Sequence, residues 1–251
     1  MRPEDIQEQQ YVIPYHYLPY QGIDGEWHIA RTLGWGYEYL AILETVKQIV
    51  QRYQIRRLLD FGCGDGRLIW ELAREHIDID VLIGVDISDR ALSFAKAMLY
   101  GNTKCHLFTS LEDINPSLLP VEAITAVEVL EHIPPELLMD TIRKLRSFLC
   151  HGGIFIISVP TTNVRINPKH YQHFNVESLL RYMDKEFVLK EQQYIHHVGI
   201  VWEFIRRMVI NRYFIANNRL WLKLMTSLYK RFVLQADPTN GAHMIVVMSK
   251  K

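Results

Sequence analysis

The sequence predicts a doubly wound α/β fold built on a seven-stranded, mostly parallel sheet. Short apolar runs alternate with segments of helical apolar spacing along most of the chain. The runs are almost continuously apolar, as expected for parallel strands that are covered on both faces. A glycine-rich turn, Gly62-Cys63-Gly64-Asp65-Gly66, joins the first run to a helical segment. Ligands bind beyond the carboxyl ends of the strands in such sheets, so we expect the functional residues there.

The elements follow from the apolar pattern in order. Helices are expected over 37–53, from the glycine turn to about His76, over 89–99 with Ser88 or Asp89 as the cap, from Pro134-Pro135 to about Leu149, and from Asn175 or Ser178. Gly152-Gly153 is expected to end the fourth of these helices. The predicted strands are 58–61, 81–86, 105–108, 123–130, 154–160, 187–194 and 244–248.

The composition limits which partners and which compartment we expect for this protein. The 251 residues include 28 basic and 28 acidic side chains, so global charge gives no argument for a nucleic-acid partner. Cys63, Cys105 and Cys150 show neither pairing nor metal-binding spacing, which favours a reduced, cytoplasmic protein. The first ten residues are polar, and no run of about 18 apolar residues occurs, so neither a signal segment nor a transmembrane segment is expected.

Three regions are expected. Residues 1–54 form an aromatic N-terminal arm and a helix, residues 55–198 and 236–251 form the core, and residues 199–235 form a basic helical insertion that acts as a cap. The arm either packs on the core or forms a lid over a bound ligand. Its aromatic residues are Tyr11, Tyr15, Tyr17, Tyr20, Trp27, Trp35, Tyr37 and Tyr39.

The glycine turn favours S-adenosylmethionine over a dinucleotide. Its third glycine comes one residue earlier than in the dinucleotide pattern G-x-G-x-x-G. Asp60 precedes the turn, where a carboxylate repels a pyrophosphate and attracts a cationic amino group or sulfonium. Asp86 ends the second strand, 20 residues after Gly66, and can accept hydrogen bonds from both ribose hydroxyls or cap the next helix.

Four segments together resemble the class I S-adenosylmethionine-dependent methyltransferases, over about residues 55–195. They are 59–66, 84–88, 128–134, and Gly152-Gly153 before 158–160. The resemblance implies a Rossmann-like methyltransferase fold in which the turn lines the methionine part of the cofactor, Asp86 holds the ribose, and 110–113 lie beside the adenine. The cofactor-binding residues implied are Asp60, Gly62, Cys63, Gly64, Asp86, Ile87, Ser110, Leu111 and Glu128.

A Glu-x-x-Glu-His segment follows the fourth strand. Two carboxylates and an imidazole fit a divalent cation such as Mg²⁺ or Mn²⁺, with a fourth ligand from His170 or His173. The predicted metal set is Glu128, Glu131, His132 and His173. Alternatively, the histidines act without a metal as general bases, and the catalytic residues are His132, His170 and His173 beside Glu131. A third interpretation gives the segment only a role in shaping the cofactor pocket, since similar segments are widespread among metal-independent small-molecule methyltransferases.

The same segment resembles two O-methyltransferase families. It is similar to metal-dependent quinone-biosynthesis O-methyltransferases and to small-RNA 3′-terminal 2′-O-methyltransferases. The RNA family combines it with a Thr-Thr-Pro-Asn segment and a later histidine, whereas this chain has Pro160-Thr161-Thr162-Asn163 and lacks the family's later acid and Glu-Trp pair. We therefore expect O-methylation of a small or medium-sized metabolite, sugar or lipid-linked acceptor. RNA 2′-O-methylation, a non-catalytic cofactor-binding subunit and, more weakly, an NAD-linked reductase are the alternatives.

The insertion mixes basic and apolar residues, with Glu203 as the nearby acid. Three interpretations of its helices are open. They pack on the sheet with their basic faces in water, or they lie on an anionic membrane surface or grip a lipid-linked substrate. In the third, they bind phosphates of RNA or of a nucleotide-linked substrate. Peripheral membrane contact through 199–235 is thus one expectation, and nucleic acid is not favoured. The basic residues are Arg206, Arg207, Arg212, Arg219, Lys223, Lys230 and Arg231.

Overall fold

The computed structural model describes residues 19–21, 27–29, 33–74, 78–183, 185, 187–209 and 218–251. The seven helices are α1 (Leu33–Arg52), α2 (Arg67–Arg74), α3 (Asp89–Met98), α4 (Pro135–Phe148), α5 (Val176–Leu180), α6 (Ile200–Val209) and α7 (Arg219–Phe232) in this described part. The strands are β1 (Pro19–Gln21), β2 (Trp27–Ile29), β3 (Arg57–Phe61), β4 (Val81–Val85), β5 (Cys105–Phe108), β6 (Val121–Val127), β7 (Leu149–Pro160), β8 (Phe187–His197), β9 (Gln235–Ala236) and β10 (Gly241–Lys250).

The main sheet has the order β5-β4-β3-β6-β7-β10-β8-β9. Neighbours from β5 through β7 run parallel, whereas β10 lies antiparallel between β7 and β8. The predicted seven-stranded, mostly parallel sheet is therefore confirmed, and β9 adds a two-residue edge strand. The strand order reverses between β3 and β6, so the segments that follow these two strands lie side by side at the switch point.

Helices cover both faces of the sheet. The alternating pleat sends Leu58 of β3 into the core under α1, α2, α3, α6 and α7, and Leu59 into the core under α4 and α5. Both leucines are fully buried. This two-sided burial accounts for the continuous apolar runs by which the strands were predicted.

Several boundaries differ from the sequence-based expectation. α4 ends at Phe148, and Gly152-Gly153 lie inside β7, where the pairing with β6 is irregular between Val121 and Ala123. Gly152 takes a φ of +74°, which a strand bulge accommodates. β6 ends at Val127, earlier than predicted, because Glu128 adopts a left-handed φ of +56° that cannot continue a strand.

Part of the predicted arm and insertion falls outside the described residues. Tyr11, Tyr15 and Tyr17 lie there, as does Arg212, so whether the arm forms a lid stays a prediction. The three-region division of the chain also stays a prediction. Across the described residues, no helix has the length and apolar character needed to cross a bilayer.

Candidate active site

The turn after β3 requires glycine at two positions. Gly62 and Gly66 have φ angles of +74° and +78°, in the left-handed region that residues with side chains rarely adopt. A Cβ atom at Gly62 would lie 2.4 Å from Cγ2 of Val129, and one at Gly66 would lie 2.9 Å from Cβ of Ala95. The glycines therefore let the turn pack directly on the segment after β6 and on α3.

Asp86 lies against this turn. Its Oδ2 atom accepts a hydrogen bond from the backbone amide of Gly64 at 2.8 Å, and Oδ1 accepts one from the amide of Ser88 at 2.9 Å. Ser88 caps α3, because its Oγ accepts a hydrogen bond from the amide of Ala91 at 3.1 Å. Asp86 is therefore not the residue that caps α3, and its predicted role in binding the ribose stays a prediction.

Asp60 lies beneath the turn, with only 3% of its surface exposed. Its Oδ1 atom accepts a hydrogen bond from Oγ1 of Thr125 on the neighbouring strand at 2.7 Å. Burial raises the pKa of the Asp60 carboxyl to about 7, against the lowering effect of the Thr125 hydrogen bond and with a smaller upward contribution from Asp86. The carboxyl therefore carries only part of its charge at neutral pH, and its predicted pairing with a cationic ligand stays a prediction.

The remaining predicted cofactor residues follow β4 and β5. Ile87, directly after Asp86, is 84% exposed. Ser110 follows β5 and caps a short 3₁₀ turn over Leu111–Asp113 by accepting a hydrogen bond from the amide of Glu112 at 3.2 Å. All of them lie at the carboxyl edge of the sheet, as the parallel topology predicts.

A cleft of about 630 Å³ connects the glycine turn to the histidine-rich segments. The turn contributes 62–65, the end of β6 and the segment after it contribute Glu128, Glu131 and His132, and the segment after β7 contributes His170 and His173. Glu38, His196, Trp202 and His243 also line the cleft. Asp60 is not among the lining residues, since it lies under the turn.

Glu131 is a fully buried carboxyl group in this wall. Neither of its carboxyl oxygens has a hydrogen-bond partner among the described residues, although Nε2 of His132 lies 3.8 Å from Oε1. Burial, and then the nearby Glu128 carboxylate, raise the pKa of Glu131 well above its usual range. A buried carboxyl without partners costs free energy, and a bound cation would supply the missing partner.

Hydrogen bonds to backbone carbonyls orient two histidine rings, and one of these orients a third. Nδ1 of His132 lies 2.9 Å from the carbonyl oxygen of Lys169, and Nδ1 of His173 lies 3.1 Å from that of Val164. A carbonyl only accepts, so both Nδ1 atoms carry protons, and in the neutral rings both Nε2 atoms carry the lone pair. Nε2 of His173 lies 2.8 Å from Nδ1 of His170, which must then be the donor. His170 is left with its lone pair on Nε2.

The structure brings together Glu131, His132 and His170. One potential ligand atom from each lies within 4.8 Å of the others. Burial, and then the charges of His132 and Lys169, lower the pKa of His170 to about 3, so a proton does not compete for its ring at neutral pH. The predicted metal set had His173 in this place, and its Nε2 is instead hydrogen-bonded to His170. His173 therefore orients a candidate ligand.

Glu128, the fourth member of the predicted set, is turned toward other partners. One carboxylate oxygen accepts a hydrogen bond from Oγ of Ser158 at 2.6 Å, and the other lies 3.0 Å from Nδ1 of His243. Nε2 of His243 lies 3.4 Å from Oε2 of Glu38. Burial alone lowers the pKa of His243, but these two carboxylates raise it to about 10. Burial raises the pKa of Glu128, but the His243 imidazolium and the Ser158 hydrogen bond together bring it below its usual value.

Polar contacts continue from Glu38 to α6 and α7. Oε1 of Glu38 lies 3.1 Å from Nε2 of His196, and Nδ1 of His196 lies 3.0 Å from the hydroxyl of Tyr229 on α7. Trp202 on α6 packs edge-on against the His196 ring, with the ring centroids 4.5 Å apart. Burial lowers the pKa of His196 to about 4, so this ring is neutral at pH 7. α1, α6, α7, β8 and β10 are thereby joined at one wall of the cleft.

Sequence reasoning missed Glu38, His196 and His243. β10 runs antiparallel, so its first residues, 241–243, lie at the edge where the parallel strands end, with His243 opposite Pro160. His196 lies near the carboxyl end of β8. A polar residue at the start of the antiparallel strand was therefore the available signal for His243, whereas Glu38 carries no comparable local signal.

Comparisons with known proteins agree with this arrangement. A family model described as a methyltransferase domain matches residues 59–155. A small RNA 2′-O-methyltransferase from Arabidopsis thaliana is 29% identical over 154 residues, which are 55% of this chain and 16% of that protein. A ubiquinone biosynthesis O-methyltransferase from Psychrobacter cryohalolentis is 29% identical over 189 residues, 66% of each protein. The chain thus covers less than two thirds of either relative.

Solved structures share the fold. The small RNA methyltransferase HEN1 superposes with a TM-score of 0.59 at 19% identity, over 83% of this chain and 25% of that chain. The N-methyltransferase NodS from Bradyrhizobium japonicum WM9, in complex with S-adenosyl-L-homocysteine, superposes with a TM-score of 0.56 at 11% identity, over 85% of this chain and 87% of that chain. Residues 59–155 match a methyltransferase domain, and the sheet order, the glycine turn and the relatives together support a class I S-adenosylmethionine-dependent methyltransferase.

Proposed function

We propose that this protein transfers a methyl group from S-adenosylmethionine to an oxygen atom of a small or medium-sized acceptor. The proposal rests on one observation: the glycine turn lines the same cleft as the cluster of Glu131, His132 and His170. A methyl donor at the turn and an acceptor hydroxyl at the cluster would then be neighbours. Methyl transfer needs chiefly this alignment, because the sulfonium is already activated.

Each predicted cofactor residue has a role in this proposal. Gly62, Cys63 and Gly64 approach the methionine part through their backbone, and Asp86 accepts hydrogen bonds from the ribose hydroxyls. Ile87, Ser110 and Leu111 would lie near the adenine, where the exposed Ile87 side chain offers an apolar contact. Asp60 supports the turn from below and adds a partial negative charge toward the methionine amino group.

The acceptor side favours a divalent cation over a metal-free histidine base. A carboxylate and two imidazoles suit Mn²⁺ better than Mg²⁺, which prefers oxygen ligands. The pKa of about 3 makes His170 a weak proton acceptor but leaves it open to a cation at neutral pH. The ion would supply Lewis acidity that lowers the pKa of the acceptor hydroxyl. His173 would hold the His170 ring in place, and the His243 imidazolium would keep Glu128 ionised beside the site.

The test is methyl transfer from tritium-labelled S-adenosylmethionine to two acceptor classes. Small hydroxylated aromatic compounds and a small RNA duplex with free 3′ ends are offered separately, with Mn²⁺ or with a chelator. We expect labelled methyl ethers of the small acceptors, formed only with the metal. Label on nitrogen, or equal transfer in the presence of chelator, would contradict the proposed oxygen chemistry or its metal assistance.

RNA 2′-O-methylation is the second candidate, because small RNA 2′-O-methyltransferases are among the relatives. Label in the RNA and not in the small acceptors would establish it. Arg206 and Arg207 are poor probes of RNA binding, since both pair with Glu203 at 2.7 Å and 2.9 Å. Tight S-adenosylhomocysteine binding without transfer to either acceptor would support a non-catalytic subunit, and stabilisation by NAD instead would revive the reductase.

A further inference from the structure

Helix α7 carries a basic surface. Its 14 residues include four basic side chains and no acid. Lys230 pairs with Glu44 on α1 at 2.7 Å. Arg219, Lys223 and Arg231 are exposed, and no carboxylate lies within salt-bridge distance of them in the described part of the chain. Three positive charges on one helix thus face solvent unopposed.

Exposed leucines run beside these charges. Leu220 and Leu224, one helical turn apart, are 76% and 50% exposed. At about 100° per residue, Arg219, Lys223 and Arg231 lie within an arc of roughly 120°, and the two leucines lie on the same side, within or just beyond this arc. The face that packs on the domain is a different one, since Met225 and Tyr229 are its buried residues. The exposed leucines therefore do not serve the packing of α7 on its own domain.

We propose that this face of α7 lies on the surface of an anionic lipid bilayer. Basic side chains beside aliphatic residues on one exposed helix face match an interface in which anionic headgroups lie next to acyl chains. Base stacking of single-stranded nucleic acid needs aromatic rings beside the charges, whereas the exposed apolar residues beside Arg219 and Lys223 are Leu220 and Leu224. The exposed ring of Phe232 lies at the last position of the helix, outside this arc. Tyr229 fixes α7 to His196 in the cleft wall, so the docked helix would hold the cleft near the bilayer.

Vesicle co-sedimentation of the full chain tests this inference, which does not depend on the methyl-transfer proposal. The probes are vesicles of phosphatidylcholine alone and of phosphatidylcholine with about one third phosphatidylglycerol. The protein is expected to sediment only with the anionic vesicles. Raising the salt concentration should release it, because surface charges are screened beyond a Debye length of roughly 8 Å at physiological ionic strength.

Two variants separate the charge from the leucines. The triple variant R219Q/K223Q/R231Q should lower the partition coefficient by about 100-fold, from the roughly 1 kcal/mol that each basic side chain contributes near an anionic surface. The double variant L220S/L224S should lower it by about tenfold or more, since leucine side chains no longer enter the acyl boundary. K96Q/K185Q/K190Q and L137S/M139S, which change exposed residues elsewhere, are the matched controls and should sediment like the wild type.

Three results would overturn the inference. The first is that the wild type fails to sediment with anionic vesicles at low salt. The second is that both α7 variants sediment as the wild type does. The third is that the protein binds single-stranded RNA, ignores the vesicles, and loses RNA affinity in the charge variant but not in the leucine variant; α7 would then be a nucleic-acid surface.

Discussion

At the residue scale, Glu131 is the side chain whose surroundings say most about its chemistry. It is fully buried and lacks hydrogen-bond partners among the described residues, yet it adjoins two imidazoles whose Nε2 atoms carry lone pairs. Such a group destabilises the fold unless it remains protonated or binds a cation. Its position in the cleft wall is better explained by ligand binding than by stability.

Glu131→Gln tests that role. The variant keeps the shape of the side chain but removes the charge, so we expect Mn²⁺ affinity to fall by at least tenfold and methyl transfer by about 100-fold or more. S-adenosylhomocysteine binding should be unchanged, since the cofactor contacts lie at the turn. Calorimetry with each ligand separates the two effects. The control is Glu136→Gln on the first turn of α4; equal losses in both variants would refute the assignment.

His196 gives a pH prediction that concerns folding alone. Its pKa is about 4 in the folded protein and about 6.5 in the unfolded chain. Between these values the unfolded chain binds more protons, so the free energy of unfolding should fall as the pH is lowered from 6.5 to 4. The lost stability is about 3 kcal/mol, from about 1.4 kcal/mol per pKa unit.

Urea unfolding of the wild type and His196→Asn across this range measures the effect. The variant should lose less stability than the wild type on acidification, by up to that amount. His151→Asn, at an exposed histidine, should follow the wild type. Parallel pH profiles for the wild type and His196→Asn would show that the buried ring does not titrate as the geometry indicates.

At the element scale, the strand-turn-helix unit around Gly62 depends on direct backbone packing. Gly62→Ala introduces a Cβ atom 2.4 Å from Val129 at a left-handed φ. We expect a loss of about 3 kcal/mol of stability, combining backbone strain and overpacking, together with weaker S-adenosylhomocysteine binding. Chemical denaturation and calorimetry measure the two quantities.

Two further variants identify the cause of that loss. Gly101→Ala has an equally left-handed φ of +80° but no atom within 4 Å of the new Cβ, so it should cost only about 1 kcal/mol and leave ligand binding unchanged. Combining Gly62→Ala with Val129→Ala removes the clashing atoms and should restore part of the stability. If Gly62→Ala costs no more than Gly101→Ala, the close packing of the turn is not what requires glycine.

The elements were predictable from sequence wherever a local rule determines them. The apolar runs predicted the seven main strands. Local capping preferences narrowed two helix starts to Ser88 or Asp89 and to Asn175 or Ser178, and the structure has Ser88 and Asn175 as the caps. Gly152-Gly153 was misassigned as a helix end, because a glycine pair marks a strand bulge as readily as a helix terminus. The left-handed Glu128 gave no sequence signal, since its conformation depends on the switch-point packing.

At the scale of the whole molecule, the cleft is assembled from residues far apart in the chain. His243 and Glu38 are 205 positions apart, and they meet because β10 inserts antiparallel beside β7 while α1 crosses the same edge. The turn, Asp86 and the Glu-x-x-Glu-His segment could be read from local sequence. The sequence could not show that His170, rather than His173, joins the Glu131 cluster. That outcome depends on which ring nitrogen lies against a backbone carbonyl.

The central claim is that one cleft holds the methyl donor at the turn and a separate acceptor site at the Glu131 cluster. Calorimetric titration of S-adenosylhomocysteine into the wild type, Asp86→Asn and Glu131→Gln tests it most directly. We expect binding by the wild type, binding weakened at least tenfold in Asp86→Asn through the lost charge-assisted hydrogen bonds, and unchanged binding in Glu131→Gln. No binding by the wild type, or an Asp86→Asn affinity equal to the wild type's, would contradict the account.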